Sequence, residues 1–244
     1  MRVLVVQHDH CSPPGPVAER FYDRGYDVVL HTVVEEAAFH APNVATGFPD
    51  FTDFDAVLAM GAPWSAYDHR LIGRWVLPEI DQLRAADAAG VPVLGICFGG
   101  QLLAAAHGGS VARSPRPELG WTEVRSDDDS LVPSGLWFQW HYDRWALPQG
   151  AREVARNAAA SQAFVLRRNL AVQFHPELTS SMLTGWFGIG GRAEAAAFGR
   201  DPDELVARTR ELEATARPRS HALVDGFIDR VATAPRALAS PSRS

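Results

Sequence analysis

The chain has 244 residues, 46% of them hydrophobic and 21% charged, enough apolar material for a sizeable core and too much for a disordered chain. Its net charge of −6 and pI of about 5.8 argue against a nucleic-acid binder, which would carry a basic face. All 23 basic residues are arginine, which removes Schiff-base, P-loop and general-base lysine chemistry. Two cysteines, Cys11 and Cys97, cannot build a disulfide framework, so a reducing cytoplasm is the expected setting. The N-terminal MRVLVVQHD is too short an apolar run for a signal peptide, and no window approaches the length of a membrane span.

Arg2 to Gln7 is a near-continuous run of β-branched residues and leucine, the mark of a strand buried on both faces. After the SPPGP loop a helix is expected to about Arg24, stopped by Gly25, then a second strand over 26–34. Residues 41–53 read as loop, 55–60 as a third strand ending in GAP, 70–89 as a helix closed by Gly90, and 91–96 as a fourth strand. This order predicts an α/β fold: an open, mostly parallel sheet with helices on both faces and its ligand at the carboxyl ends of the strands. The middle third changes to short strand-like segments at 120–125, 135–140, 162–167 and 170–174, a small antiparallel section. Helices are expected at 178–187, 202–214 and 219–232. Residues 1–233 are read as a single domain, with 188–233 a helical C-terminal extension, and 234–244 as a flexible tail.

The chemistry starts at VLGICFGGQ, residues 93–101. A buried strand runs into Cys97, a helix leaves it, and Gly95 and Gly99 flank it in a G-x-C-x-G pattern. That is a nucleophile elbow with sulfur in place of oxygen: small neighbours permit the sharp strand-to-helix turn that lifts the nucleophile off the sheet. The helix N-terminus aimed at the sulfur favours a thiolate. A thiolate attacking a carbonyl needs a base and an orienting group. Of nine histidines, His175 is singled out because it ends the strand-like LAVQF and precedes Pro176 and Glu177. The rigid proline step places the Glu177 carboxylate where it can hold the imidazole. An oxyanion hole needs two backbone donors: the amide of Phe98, and one from a second loop, for which Gly61 in MGAP is the candidate.

Together GICFGGQ, QFHPE and a post-strand MGAP resemble the class I, triad-type glutamine amidotransferases, above all stand-alone relatives of the glutamine amidotransferase domain of GMP synthase. The likeness runs from residue 1 to about 187 and includes PELGW at 117–121 and WHYD at 140–143. It implies the flavodoxin-like fold of that family, Cys97 as nucleophile, His175 as general base and acid, and Glu177 as its orienting carboxylate. It further implies that Gln101 helps hold glutamine and that His141 and Asp143 border the glutamine pocket. The family's usual Gly-Gly-Pro is here Gly61-Ala62-Pro63, and 188–233 has no counterpart in the resemblance.

The reaction implied is hydrolysis of the glutamine side-chain amide through a Cys97 thioester, with no metal or organic cofactor. Since no ATP-binding signature is present, ammonia would go to a separate ATP-dependent synthetase. Two alternatives stand beside it: a γ-glutamyl peptidase or hydrolase acting on a larger γ-glutamyl amide, and a non-catalytic partner protein on the same fold. The intact triad speaks against the latter. A metal site at His8, His10 and Cys11 is a minor possibility against a pocket-rim loop.

Overall fold

The computed structural model describes residues 1–233; the expected tail at 234–244 lies outside the described residues. Nine strands among them form one sheet in the order β2-β1-β3-β4-β9-β8-β7-β5-β6. The strands are β1 (Arg2–Gln7), β2 (Asp27–Thr32), β3 (Ala56–Ala59), β4 (Val93–Ile96), β5 (Ser110–Ser126), β6 (Gly135–Ala146), β7 (Arg152–Arg156), β8 (Ser161–Leu166) and β9 (Asn169–Val172). The first five in that order pair in parallel; β8, β7, β5 and β6 continue the sheet antiparallel. The α/β class and its parallel core therefore stand as expected.

Alternation along β1 shows why helices cover both faces. Val3 and Val5 point into one apolar cluster with Val17 and Phe21 of helix α1 (Gly15–Asp23). Leu4 and Val6 point into the opposite cluster with Trp75, Val76 and Leu83 of α2 (His69–Ala89) and Leu102 of α3 (Phe98–Ala106). Asp68 caps α2 by accepting from the Leu71 amide at 3.2 Å, and Gly90 ends it in the left-handed conformation. β2 is an edge strand, partly exposed along its length, and it ends at Thr32 rather than Val34, although Val33 and Val34 are buried just beyond it.

The antiparallel section departs from the expected boundaries. β5 is 17 residues long, because the prolines at 115 and 117 fall where the β5–β6 register shifts between Arg113 and Glu118. The strand β7 has no expected counterpart. After α4 (Ser180–Trp186) the chain kinks through Phe187–Gly191 and forms a short α5 (Arg192–Ala197), which falls inside the expected helical extension but outside the individual helices expected there. The two C-terminal helices expected at 202–214 and 219–232 are one, α6 (Pro202–Gly226), continued through Phe227–Ala232. Pro218 forfeits one helical hydrogen bond, yet Ala216, Ser220, Leu223 and Val224 bury the same face on either side of it and carry the helix through.

Candidate active site

Ile96 of β4 pairs with Val172 of β9, so Cys97 and Gln173 leave adjacent parallel strands at the same height. The Cys97 amide donates to the Val172 carbonyl at 2.7 Å, tying the elbow to β9. Cys97 itself sits at φ 48°, ψ −102°, a region a side-chain-bearing residue rarely adopts. The flanking glycines make this possible. A Cβ on Gly95 would lie 2.6 Å from the Gly99 carbonyl oxygen, and one on Gly99 would lie 2.1 Å from the Ala59 carbonyl oxygen. The elbow expected from G-x-C-x-G is thus a steric necessity of this packing.

Two residues past Gln173, His175 is anchored by its own amide, which donates to the Phe138 carbonyl at 2.9 Å. Its Nδ1 lies 2.8 Å from Glu177 Oε1 and its Nε2 lies 3.5 Å from the Trp140 carbonyl, which the Cys97 thiol also approaches, at 3.9 Å. Glu177 is fully buried, and its other oxygen has no hydrogen-bond partner among the described residues. Burial works against a charge on His175, but the charges of Glu177 and Cys97 outweigh it and raise its pKa well above the ordinary imidazole value. Trp186 of α4 covers the imidazole edge-on at 5.3 Å, and its indole N–H donates to Ser12 Oγ at 3.1 Å.

A cavity of about 540 Å3 opens over this pair, with Gly61, Ala62, Cys97, Phe98, Gln101 and Asp143 in its walls. Gly61 is close to both reactive groups: a Cβ there would meet His175 Cε1 at 3.2 Å and Cys97 Cβ at 3.9 Å. Gln101, one turn into α3, directs its amide nitrogen to the Asp143 carbonyl at 3.3 Å and to Gln173 Oε1 at 3.4 Å. The Asp143 carboxylate accepts from Ser65 Oγ at 2.5 Å and Tyr67 OH at 3.0 Å. His141 lines the same wall with both ring nitrogens engaged, Nδ1 at 3.0 Å from the Asp143 carbonyl and Nε2 at 3.1 Å from Glu118. Seven of the eight candidate residues line this one cavity, and the eighth, Glu177, lies buried behind His175.

The HDHC cluster disperses. His8 is buried against Glu79, His10 packs edge-on to Phe39, and the Cys11 thiol donates to Asp9 at 2.9 Å. Burial, with Asp9 beside it, pushes the Cys11 pKa up to about 12, so this second cysteine of the pocket stays a thiol.

Several contributors carry no local signal. Gln173 donates to Cys97 Sγ at 3.5 Å, and its place within QFHPE is the only hint of it. Ser65 and Tyr67 reach Asp143 across 78 and 76 residues. The His8 imidazole lies 3.0 Å from both oxygens of Glu79 and 3.1 Å from the Gly61 carbonyl, with His8 and Glu79 fully buried. Burial disfavours a charged His8, yet Glu79 more than compensates and its pKa is raised.

The class defined by this fold and constellation is confirmed by comparison: residues 17–184 match the family model "Glutamine amidotransferase class-I", and the chain belongs to that family. Within it, the chain is 34% identical over 154 residues to the GMP synthase [glutamine-hydrolyzing] of Aeropyrum pernix, covering 57% of this chain and 30% of that one. It is 31% identical over 226 residues to the GMP synthase of Bordetella parapertussis, covering 80% and 38%. The match thus spans about a third of these relatives. Two solved structures share the fold along nearly their whole length. A glutamine amido transferase from Methylobacillus flagellatus has a TM-score of 0.81 at 24% identity, covering 93% of this chain and 94% of that one. A glutamine amidotransferase from Thermotoga maritima has a TM-score of 0.79 at 23% identity, covering 94% and 98%. Among the described residues no helix is long and apolar enough to cross a membrane.

Proposed function

We propose that the protein hydrolyses the side-chain amide of L-glutamine to glutamate and ammonia, using Cys97, His175 and Glu177. The observation that carries this reading is the buried His175 imidazole held at 2.8 Å by Glu177 and lining one cavity with the elbow cysteine. The Cys97 thiolate attacks the amide carbon, and the carbonyl electron pair moves onto oxygen. The Phe98 amide and the Gly61–Ala62 loop receive that oxyanion. Collapse breaks the C–N bond, and the leaving nitrogen takes the proton from His175. Water then gives a proton to His175 as it attacks the thioester, releasing glutamate and restoring the thiolate. Gln101, His141 and Asp143 form the wall that binds the glutamine. The matched relatives are GMP synthases, which supports delivery of the ammonia to a synthetase.

Ammonia and glutamate should appear in equal amounts when purified protein is incubated with glutamine, and Cys97→Ala should lower kcat at least about 10⁴-fold. No ammonia from the wild type, alone or with a partner synthetase and ATP, overturns the reading. One observation favours a second substrate: aromatic residues Phe39, Trp64 and Trp186 extend the cavity beyond the catalytic pair. A γ-glutamyl amide of a bulkier amine would use that space, and a higher kcat/KM for it than for glutamine would identify the γ-glutamyl hydrolase.

A further inference from the structure

The geometry points to the buried His8–Glu79 pair as the device that sets the oxyanion-binding loop, with His8 a positioning residue acting on both sides of the hole. This rests on the amide-hydrolysis reading of the Cys97 site.

His8 touches both halves of that hole. Its Nδ1 donates to the Gly61 carbonyl at 3.1 Å, and its ring meets the ring of Phe98 at 4.9 Å, nearly edge-on. Phe98 is the residue whose amide follows the nucleophile. On the other side Trp75 stacks on His8 at 5.6 Å, so the imidazole cannot swing away. Both oxygens of Glu79, delivered by α2, hold Nε2 at 3.0 Å. Carbonyl and carboxylate oxygens only accept, so each ring nitrogen is asked to donate, and burial leaves no water to substitute.

The consequence for the loop follows from peptide geometry. In a trans peptide the N–H points opposite to the C=O. With the Gly61 carbonyl drawn to His8, the N–H of the same peptide, on Ala62, is fixed on the far side, and Ala62 lines the cavity. The preceding peptide is pinned as well, because the Met60 carbonyl accepts from the Gly99 amide at 3.0 Å. Both peptide planes of the loop are therefore set before substrate arrives, which is the preorganisation that oxyanion stabilisation requires. The arrangement also explains a fully buried pair that no step of the hydrolysis uses directly.

The test separates transition-state from ground-state effects. Removing His8 alone would strand the Glu79 carboxylate, so the informative variant is the double substitution His8→Leu/Glu79→Met, which removes both polar groups together. It is compared with His8→Asn/Glu79→Met, whose Asn nitrogen stands near the place of Nδ1 and restores a donor to Gly61. With L-glutamine as substrate, the first variant should lose roughly tenfold to a hundredfold in kcat with KM within about threefold of wild type. The second should recover most of that loss. Alkylation of Cys97 by iodoacetamide forms no oxyanion and should proceed at the wild-type rate in both.

A folded first variant with wild-type kcat, a loss expressed in KM, or a parallel loss in alkylation rate each overturns the proposal. So does failure of the asparagine to rescue. Where thermal melting shows the double variant unfolded at the assay temperature, the same criteria apply to the pair His8→Leu/Glu79→Gln and His8→Asn/Glu79→Gln, which keep the side-chain shape at position 79. Absence of glutamine turnover by the wild type overturns the amide-hydrolysis reading and this proposal with it, whereas wild-type turnover with unaffected variants overturns only this proposal.

Discussion

At the scale of single residues, the strained backbone of Cys97 is what exposes its sulfur. Holding a side chain at φ 48° costs on the order of 1–3 kcal/mol, which the surrounding packing absorbs. A glycine adopts that conformation freely. Cys97→Gly should therefore melt higher than Cys97→Ala although both are inactive, a comparison made by thermal denaturation; equal melting temperatures would mean the elbow stores no strain. Gly99→Ala should go the other way, losing about 2–3 kcal/mol or more, because its new methyl would collide with the Ala59 carbonyl, a backbone atom that cannot move aside. For Glu177, replacement by glutamine keeps the hydrogen-bonding shape but removes the charge that holds the proton on His175; kcat should fall by about 10²–10⁴ while glutamine binding persists. These residues were legible in the sequence because each belongs to a strand-then-turn motif whose chemistry is local. His8 was seen only as one member of a loop cluster, and Glu79 only as a helix position. Their meeting spans 71 residues and depends on how α2 packs, which no local pattern encodes.

At the scale of elements, the parallel strands were readable because burial on both faces leaves an unbroken apolar run, and glycines mark where each helix ends. The long β5 was not, since its prolines read as breaks; only the register shift opposite β6 shows how they fit. The same bias split α6 at Pro218. The role of α6 emerges from its contacts. Phe227, just past its end, is fully buried and packs edge-on against Phe21 of α1 at 6.1 Å. Asp225 accepts from Arg20 at 2.8 Å and from Arg24 at 2.5 Å. The apolar contact should dominate. Phe227→Ala creates a large cavity and should cost about 3–5 kcal/mol, whereas Asp225→Asn, a partly exposed ion pair, should cost no more than about 1 kcal/mol. Urea denaturation of the two variants decides the order, and a larger loss from Asp225→Asn would show that charge rather than packing docks the C-terminal helix.

At the scale of the whole molecule, the two faces of the sheet meet at its carboxyl edge, and two buried histidine–carboxylate pairs lie there, His175 with Glu177 and His8 with Glu79. Both histidines hold their protons more tightly in the folded protein than an unfolded chain would. Their contribution to stability is complete below about pH 6.5, where the unfolded imidazoles are also protonated. It is lost as pH rises from there through the folded values, because the native state then binds more protons than the unfolded one. His31 and His107 are shifted down by burial, so their contribution is lost only on the acid side and is constant above about pH 6.5. Between about pH 6.5 and 8, below the ordinary thiol range, the slope of stability against pH therefore reports mainly the two raised histidines. Melting temperature should fall across this window in the wild type. Glu79→Gln removes the charge that keeps His8 protonated, so its curve should start lower near pH 6.5 and fall less steeply than the wild type's. Parallel curves would show that the His8 proton is not held by Glu79, and that the buried pair at the foot of the oxyanion loop is a neutral hydrogen bond rather than an ion pair.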